Sequence, residues 1–280
     1  MKQFKVGLQL YSIRDDMEKD MDAALKQVKE MGYDYVEFAG YFGKSADEVR
    51  ALLDKYDLTC ISVHQSYDVF LDNEKESIAY LNTIGAKYSA VPWMDVKKHK
   101  SGGDFENTVA EFKQVGTALK NAGIQLLYHN HDFEFERFED KFLLDWLYES
   151  VPSDLLKTEI DTCWVRYAGY DPAEYIRKYT GRSPIVHLKD FVCKNFNMGA
   201  VYALIDENGE EGEQAKPESR EDAGFQFRPV GHGIQDIPSI LKAAEDAGAD
   251  YLIVEQDQSE DRPAMESAKM SRDYLKELGL

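Results

Sequence analysis

Short apolar runs alternate with longer amphipathic stretches along almost the whole chain. Runs that are apolar nearly throughout are typical of strands buried on both faces of a parallel sheet. Eight such runs lie at 5–10, 35–38, 59–63, 88–91, 124–129, 158–161, 185–188 and 251–255. Helical periodicity lies between them, at 17–31, 45–55, 105–122, 142–148, 172–178, 237–247 and 264–278. The alternation predicts a repeated βα unit.

Four joints between a helix pattern and a strand pattern carry the same signal. A glycine follows the helix, where it can adopt a positive φ as a cap, and the strand begins about two residues later; the joints are KEMGYDYVEF, NTIGAKYSAV, KNAGIQLLY and EDAGADYLIVE. Eight units in a chain of 280 residues match a (β/α)8 barrel. A doubly wound open sheet is the rival, but it usually has fewer strands or a second domain. No G-x-G-x-x-G follows the first strand, so a dinucleotide site has no support. We expect residues 1–280 to form a single α/β domain, a (β/α)8 TIM barrel.

One segment interrupts this rhythm. Between the seventh strand and its helix lie residues 191–235, which include the acidic run DENGEEGEQAKPESRED. A connection of this length is typical of a functional lid or of a flexible surface loop. We expect it to lie over or beside the barrel mouth, and the sequence leaves both interpretations open.

Composition narrows the class of protein. The chain has 33 Lys and Arg against 52 Asp and Glu, a net charge of −19. A surface this acidic repels phosphate groups, so we expect no nucleic acid and no membrane as partners. The three cysteines are scattered without a CxxC, and the first residues turn acidic too early for a signal peptide. These features predict a cytoplasmic protein.

Polar residues end four consecutive predicted strands. In a barrel of this kind the site lies at the carboxyl ends of the strands, so these side chains are expected to meet. Carboxylates with one or two imidazoles suit Mn²⁺, Mg²⁺ or Co²⁺, with Zn²⁺ as a further option. The residues are His129, His131 and Glu134 after strand five, Asp161 after six, His187, Lys189 and Asp190 after seven, and Glu255 and Asp257 after eight.

Six segments in order along the chain carry a resemblance. They are GLQLYSIRD, YHNHDFEF, EIDTCWVRYAGYDPAEYI, RSPIVHLKDF, PVGHGIQDIPSIL and VEQDQS. Together they resemble the xylose-isomerase-like TIM barrels of the sugar phosphate isomerase/epimerase superfamily, which include inosose dehydratases, ketose 3-epimerases and enzymes acting on 3-oxo-glycosides.

The resemblance implies one divalent metal ion, with manganese as the first expectation. Asp161, His187 and Glu255 match the family ligands on strands six, seven and eight. Strand five departs from the pattern, because His129 stands where many members have a glutamate. Either His129 replaces that ligand or Glu134 does, and we favour His129.

The resemblance also implies a reaction. In the ketose 3-epimerases, carboxylates on opposite faces move a proton next to a carbonyl, and the metal stabilises the enediolate. Glu255 is available for one face, and His129, His131 or Glu134 for the other. We expect a metal-dependent sugar isomerase or epimerase acting on a keto-sugar. The alternatives are a dehydratase or lyase acting on an inosose or a 3-oxo-glycoside, and a non-catalytic sugar-binding barrel.

Further residues are expected to contact a small carbohydrate substrate. The resemblance points to Lys189, Asp190, Trp164, Arg166, His64 and Glu37. His99, within KKHK, is expected to be a solvated surface residue. Related barrels often dimerise or tetramerise, so a homo-oligomer is an open expectation.

Overall fold

Eight parallel strands form the centre of the molecule. The computed structural model describes residues 2–194 and 223–280. The strands are β1 (Lys5–Gln9), β2 (Tyr35–Phe38), β3 (Thr59–Val63), β4 (Tyr88–Val91), β5 (Gln125–His129), β6 (Leu156–Asp161), β7 (Ile185–Leu188) and β8 (Tyr251–Val254). They pair in the order β3-β2-β1-β8-β7-β6-β5-β4, so that the first strand lies beside the last.

The two edge strands of this sheet also meet. A parallel bridge joins His64 to Ala90, and the Gln65 N–H donates to the Ala90 carbonyl at 2.9 Å. The sheet is therefore a nearly closed barrel, and the predicted (β/α)8 fold is confirmed. All eight predicted strands are present, and four of them have the predicted bounds.

Ten α-helices in the described residues surround the barrel. They are α1 (Arg14–Lys19), α2 (Met21–Met31), α3 (Ala46–Lys55), α4 (Tyr67–Ile84), α5 (Phe105–Asn121), α6 (Leu143–Ser150), α7 (Thr162–Tyr167), α8 (Pro172–Lys178), α9 (Ile237–Ala247) and α10 (Ala264–Glu277). Within the same residues, no helix has both the length and the apolar character needed to cross a bilayer. Gly32, Gly85 and Gly248 cap helices in the left-handed region, as the joints predict.

The helix predictions need correction at 17–31 and at two helices that were missed, α4 and α7. The predicted helix at 17–31 is divided at Asp20, whose backbone is extended (φ −161°, ψ 91°) and whose carboxylate accepts from the Ala23 N–H. The N-cap hydrogen bond ends the first helix and begins the second. Helix α4 was not predicted, because Asn73 has non-helical angles inside it (φ −140°, ψ 49°) and breaks the periodicity.

The interior of the barrel has two halves of opposite character. Towards the amino ends of the strands it is filled by Ile61, Ala90, Leu127, Ile185, Tyr251 and Ile253, which we call the apolar half. Side chains two residues apart on a strand share a face. The next inward positions after Leu127, Ile185 and Ile253 are therefore His129, His187 and Glu255. These begin the polar half, at the carboxyl ends.

The long segment after β7 begins and ends in regular structure. Asp190–Val192 pairs antiparallel with Gln226–Arg228. The Asp190 carboxylate accepts from the backbone N–H groups of Phe191, Gly231, Gly233 and Gln235 at 2.9–3.1 Å. A Cβ on Gly233 would lie 2.1 Å from the Asp190 carboxylate, so glycine is required there. Most of the predicted lid or acidic loop, residues 195–222, lies outside the described residues.

Candidate metal centre and active site

Four predicted ligands meet at the carboxyl ends of neighbouring strands. His129 ends β5, Asp161 ends β6, His187 lies in β7 and Glu255 follows β8. Each residue is at most 4% exposed, and one ligand atom from each lies within 4.8 Å of the others. The strand register places Asp161 beside His187. We call these four residues the outer cluster.

Hydrogen bonds and ion pairs order the outer cluster. The His187 Nδ1 lies 3.1 Å from Glu255 Oε2, and the His129 Nε2 lies 3.6 Å from Asp161 Oδ2. The Lys189 Nζ lies 3.1 Å from Asp161 Oδ2 and 2.9 Å from Glu255 Oε2. Its third partner is Asp257, at 3.0 Å. One buried ammonium therefore neutralises part of a group of three carboxylates.

A second group of acidic and imidazole side chains lies against the first. We call this second group the inner cluster. It consists of Glu37 from β2, His64 at the end of β3 and Glu159 from β6. The His64 Nε2 is 3.0 Å from Glu37 Oε1 and 2.8 Å from Glu159 Oε2. The His187 Nε2 lies 2.9 Å from the same Glu37 oxygen. His187 thus turns one ring nitrogen to each cluster.

Burial and neighbouring charges shift the pKa values in the outer cluster. Burial raises the pKa of Asp161 to about 6. Burial acts in the same direction on Glu255, but the Lys189 ammonium and His187 outweigh it and hold the pKa of Glu255 well below its usual range. Burial, followed by the charges of His187 and His64, lowers the pKa of His129 well below its ordinary value. Glu255 is therefore an ionised carboxylate and His129 a neutral imidazole, the forms that bind metals.

The outer cluster fits a divalent cation. It offers two carboxylates and two imidazoles, a donor set that suits first-row divalent metals. Asp161 Oδ2 is buried and makes no hydrogen bond within the described residues, although the Lys189 ammonium lies 3.1 Å from it as an ion-pair partner. Asp161 Oδ1 is already used, because it accepts from the Trp164 N–H as the cap of α7. A cation would share Asp161 Oδ2 and Glu255 Oε2 with Lys189, which also has Asp257.

Glu134, the rival ligand of strand five, is not brought into either cluster. Its Oε1 accepts from the Tyr128 hydroxyl at 2.7 Å and its Oε2 from the His131 backbone N–H at 2.8 Å. Burial raises the pKa of Glu134 to about 8. The side chain lies below the turn after β5 and holds its backbone. His131 stacks on Phe133 and Trp164.

The other expected substrate contacts have varied surroundings. Trp164 is buried, stacks on Phe225 and lies 5.1 Å from the Lys189 Nζ. Arg166 lies two residues further along α7, near the end of that helix. Both oxygens of the Asp190 carboxylate accept from the backbone of 231–235, so this side chain holds the turn there.

His99 is not a surface residue, and the expectation is wrong. Its side chain is fully buried and packs edge-to-face on Phe133 at 5.7 Å. Burial lowers the pKa of His99 to about 4. The lysines beside His99 in KKHK suggested that its ring would be exposed to solvent. Instead, the packing of the loop after β4 buries the ring.

Glu159 is the site residue that the sequence reasoning missed. It precedes Asp161 by two residues in the segment TEID and therefore shares its inward face. Gln9, at the end of β1, also reaches this group, because its amide donates to Glu37 Oε1 at 2.7 Å. Strand alternation was the available signal for both.

A cavity adjoins the polar half at His64. It has a volume of about 410 Å³ and is lined by His64, Gln65, Tyr41, Tyr80 and Val69, among others. The Tyr41 and Tyr80 rings stack at 4.0 Å. A space of this size beside buried polar groups is typical of a site for a small molecule.

Fold and site together define a parallel barrel whose carboxyl end carries a cluster able to hold a metal ion. The chain matches the xylose isomerase-like TIM barrel family over residues 25–278 and belongs to it.

The curated relatives that match this chain are named inosose dehydratases. The chain is 25% identical over 307 residues to an inosose dehydratase of Mesomycoplasma hyopneumoniae (strain 7448), covering 99% of this chain and 97% of that protein. It is 26% identical over 215 residues to an inosose dehydratase of Geobacillus kaustophilus, covering 67% of this chain and 69% of the relative.

Solved structures share the fold. A sugar phosphate isomerase/epimerase from Parabacteroides distasonis superposes with a TM-score of 0.77 at 22% identity, covering 98% of both chains. The IOLI protein with a bound zinc atom superposes with a TM-score of 0.66 at 15% identity, covering 98% of this chain and 97% of that one. At these identities the likeness establishes the fold.

Proposed function

We propose that this protein is a divalent-metal-dependent enzyme that removes a proton next to the carbonyl of a keto-sugar or keto-cyclitol. The observation that carries the proposal is the outer cluster, in which two imidazoles and two carboxylates from four adjacent strands converge. When bound there, a metal ion would polarise the substrate carbonyl and stabilise the enediolate that deprotonation forms. The curated relatives support a substrate of this chemical class.

Glu255 is proposed as the base on one face of the substrate. It follows β8 at the carboxyl end of the barrel, where its carboxylate would lie beside the carbon next to the carbonyl of a bound substrate. His131 or His129 would return or receive a proton on the other face. Glu134 is proposed to position His131 rather than to react, because both of its oxygens already accept hydrogen bonds.

The enediolate has more than one fate. A proton returned to the opposite face gives an epimer, and one given to the neighbouring carbon gives an isomer. If the hydroxyl on the β carbon instead takes up a proton, such as the one that the base removed, and leaves as water, the electron pair of the broken C–H bond forms a C=C bond and the reaction is a dehydration. The relatives named inosose dehydratase favour dehydration, so dehydration of an inosose is our second candidate.

The remaining contacts are proposed to orient substrate hydroxyls. Lys189 and His64 lie at the polar half, and the cavity beside His64 has room for a sugar ring. Arg166 and Trp164 follow Asp161 on α7 and are proposed at the edge of the same site. Manganese is the metal that we would test first, with zinc, cobalt and magnesium beside it.

The test is solvent exchange with Mn²⁺-loaded protein. An inosose and a set of ketohexoses are incubated in D₂O and followed by NMR and mass spectrometry. We expect deuterium next to the carbonyl, with loss of water from the inosose if the protein is a dehydratase and an isobaric product if it is an epimerase or isomerase. The Glu255→Gln variant should abolish the exchange. Absence of exchange with every keto compound, in protein shown to hold metal, would refute the proposal.

A further inference from the structure

We propose that the cavity beside His64 holds a second, uncharged sugar ring, which is joined to the keto ring that reacts at the outer cluster. This assignment rests on the proposed function and deepens it, because it says which kind of keto-sugar the protein takes. Three features carry it: the position of the cavity relative to the outer cluster, the residues of its walls and the charges around it.

The cavity is close to the outer cluster but separate from it. The described residues that line the cavity include none of the four outer-cluster residues. His64 belongs to both places, because it lines the cavity and its ring centre lies 5.2 Å from that of His187 and 4.8 Å from that of His129. A single keto ring at the outer cluster would therefore leave the cavity empty, whereas a two-ring substrate would extend past His64 into it.

The walls of the cavity come largely from one side of a helix. Five lining residues belong to α4, and their spacing of three or four residues places them on one side of it. They are Val69, Asn73, Glu76, Ser77 and Tyr80. The loop after β2 supplies Tyr41 opposite them in the lining. Asn73 is the residue with non-helical angles inside α4, so the irregular turn of this helix lies at the cavity.

The lining residues suit a sugar ring. A pyranose has an apolar C–H face and a rim of hydroxyl groups. Tyr41 and Tyr80, whose rings stack at 4.0 Å, supply apolar surface together with Val69. The side chains of Gln65 and Asn73 can both donate to and accept from hydroxyl groups, and no hydrogen bond within the described residues engages their amides. Apolar walls with a few polar groups are typical of sites for small molecules.

The charges around the cavity exclude an anionic ligand. Among the described lining residues, Glu76 is the one carboxylate, and there is no Lys or Arg. His64 is the one imidazole, and its Nε2 already faces Glu37 Oε1 at 3.0 Å and Glu159 Oε2 at 2.8 Å. A phosphate or carboxylate group in the cavity would meet a like charge without a free cation to balance it. The second ring is therefore neutral.

The first experiment compares two ketones that share the reacting ring. Methyl 3-oxo-β-glucoside has no second ring, and 3-oxo-cellobiose, with its ketone in the non-reducing ring, has one. Both are given to the Mn²⁺-loaded protein, and α-proton exchange in D₂O is followed by NMR. We expect kcat/KM to be about tenfold higher or more for 3-oxo-cellobiose, because binding energy from the second ring helps to hold the reacting one. Values that agree within about twofold would overturn the second-ring site.

A pair of matched substitutions places the effect in the cavity. Val69→Trp narrows the cavity from its wall, and Val96→Trp, outside the lining, adds the same side chain in the loop after β4. Val69 is 41% exposed and Val96 is 53% exposed, so neither change disturbs the core. The ratio of kcat/KM for the two ketones should fall towards one in Val69→Trp and stay unchanged in Val96→Trp. A ratio that stays high in Val69→Trp would overturn the assignment, and circular dichroism checks that both variants are folded.

Calorimetry gives a second measurement that does not depend on activity. The two ketones are titrated into chelator-treated protein, in which the proposed metal-dependent reaction does not proceed. We expect 3-oxo-cellobiose to bind about tenfold more tightly than methyl 3-oxo-β-glucoside, and Val69→Trp to remove the difference.

The outcomes separate the second-ring site from the proposed function. Exchange of both ketones with equal kcat/KM and equal affinity would overturn the second-ring site and leave the proposed function intact. Tighter binding of 3-oxo-cellobiose that Val69→Trp removes, without exchange of any ketone by metal-loaded protein, would keep the site and refute the proposed function. Neither preferential binding nor exchange would overturn both.

Discussion

The apolar and polar halves of the barrel interior are built by the same strands, yet they do opposite things. On β5, β7 and β8, Leu127, Ile185 and Ile253 fill the apolar half, and the residues two positions later are His129, His187 and Glu255. The first group removes hydrocarbon from water, which stabilises the fold. The second group removes charges from water, which costs stability unless they are paired or bind metal.

The difference shows how a barrel concentrates function. Two residues further along the same strand, the inward side chain no longer packs in the apolar half but belongs to the polar half, where metal binding and catalysis are proposed. The polar half holds its buried carboxylates because the strands beneath it are anchored by the apolar half. Substitutions in the two halves should therefore have separable effects, and the following predictions use that separation.

The largest expected effect is on activity. Glu255→Gln should lower kcat/KM for the proposed exchange by about 10³-fold or more, because it removes both a ligand and the proposed base. Leu127→Ala should leave the activity of the folded fraction within about threefold of the unchanged protein. Comparable losses in both variants would mean that the two halves do not differ as described. Steady-state kinetics at a temperature where both are folded make the measurement.

The second effect is on stability, where the substitution in the apolar half is expected to have the larger effect. Leu127 is fully buried, and Leu127→Ala should lower the free energy of unfolding by about 2–5 kcal/mol, through lost burial and a residual cavity. Glu255→Gln, without metal, should cost less than that, because the glutamine oxygen can still accept a hydrogen bond and Lys189 keeps Asp161 and Asp257 as partners. Urea unfolding of the metal-free proteins tests this. A larger loss in Glu255→Gln would reverse our assignment of the two halves.

The third effect is that of metal removal. A ligand that binds the folded state alone stabilises it by about 2.7 kcal/mol at a concentration one hundred times its Kd. Chelation should therefore lower the Tm of the unchanged protein. The shift should be smaller in Glu255→Gln and unaltered in size in Leu127→Ala. Differential scanning calorimetry with and without Mn²⁺ makes the comparison, and an equal shift in all three would show that the metal binds elsewhere.

The smallest effect concerns His99, a buried histidine outside both clusters. Its folded pKa of about 4 lies below the ordinary value near 6.5, so the unfolded chain binds a proton that the folded chain does not. The neutral ring's contribution is complete above pH 6.5 and is lost as the pH falls towards 4. About 2 kcal/mol should disappear between pH 6.5 and 5.

His99→Leu should remove this part of the acid sensitivity. Urea unfolding at pH 5 and pH 7.5 gives the loss for each protein, and Leu127→Ala serves as a control that keeps His99 in place. If His99→Leu shows the same loss between these pH values as the unchanged protein, the burial of His99 does not carry the effect.

The barrel and most of the outer cluster could be predicted from sequence. Apolar strands, glycine caps and polar strand ends are local patterns, and the resemblance fixed which strand ends matter. The inner cluster could not be predicted in the same way. Glu37 and His64 were expected only as separate substrate contacts, and Glu159 was missed, because their meeting depends on how β2, β3 and β6 are staggered around the closed barrel.

The errors have local causes as well. The backbone pairing shifts between Val36 and Glu37, and no sequence pattern gives that irregularity. Asp20 ends one helix and caps the next, which periodicity alone does not resolve. His99 lies among lysines, but its ring packs against Phe133, far along the chain. In each case a specific contact outweighed the pattern of the neighbouring residues.

The Asp190 carboxylate has a consequence for how this chain tolerates change in length. It ties the strand before residues 195–222 to the turn after them, and the pairing of Asp190–Val192 with Gln226–Arg228 fixes the same junction a second time. With both ends held, added chain length between them has a small entropic cost, about 0.6 kcal/mol for each doubling of a connection. This junction is thus a place where residues can be inserted or deleted with little effect on the barrel, as a designer would need in order to graft a new recognition segment beside the site.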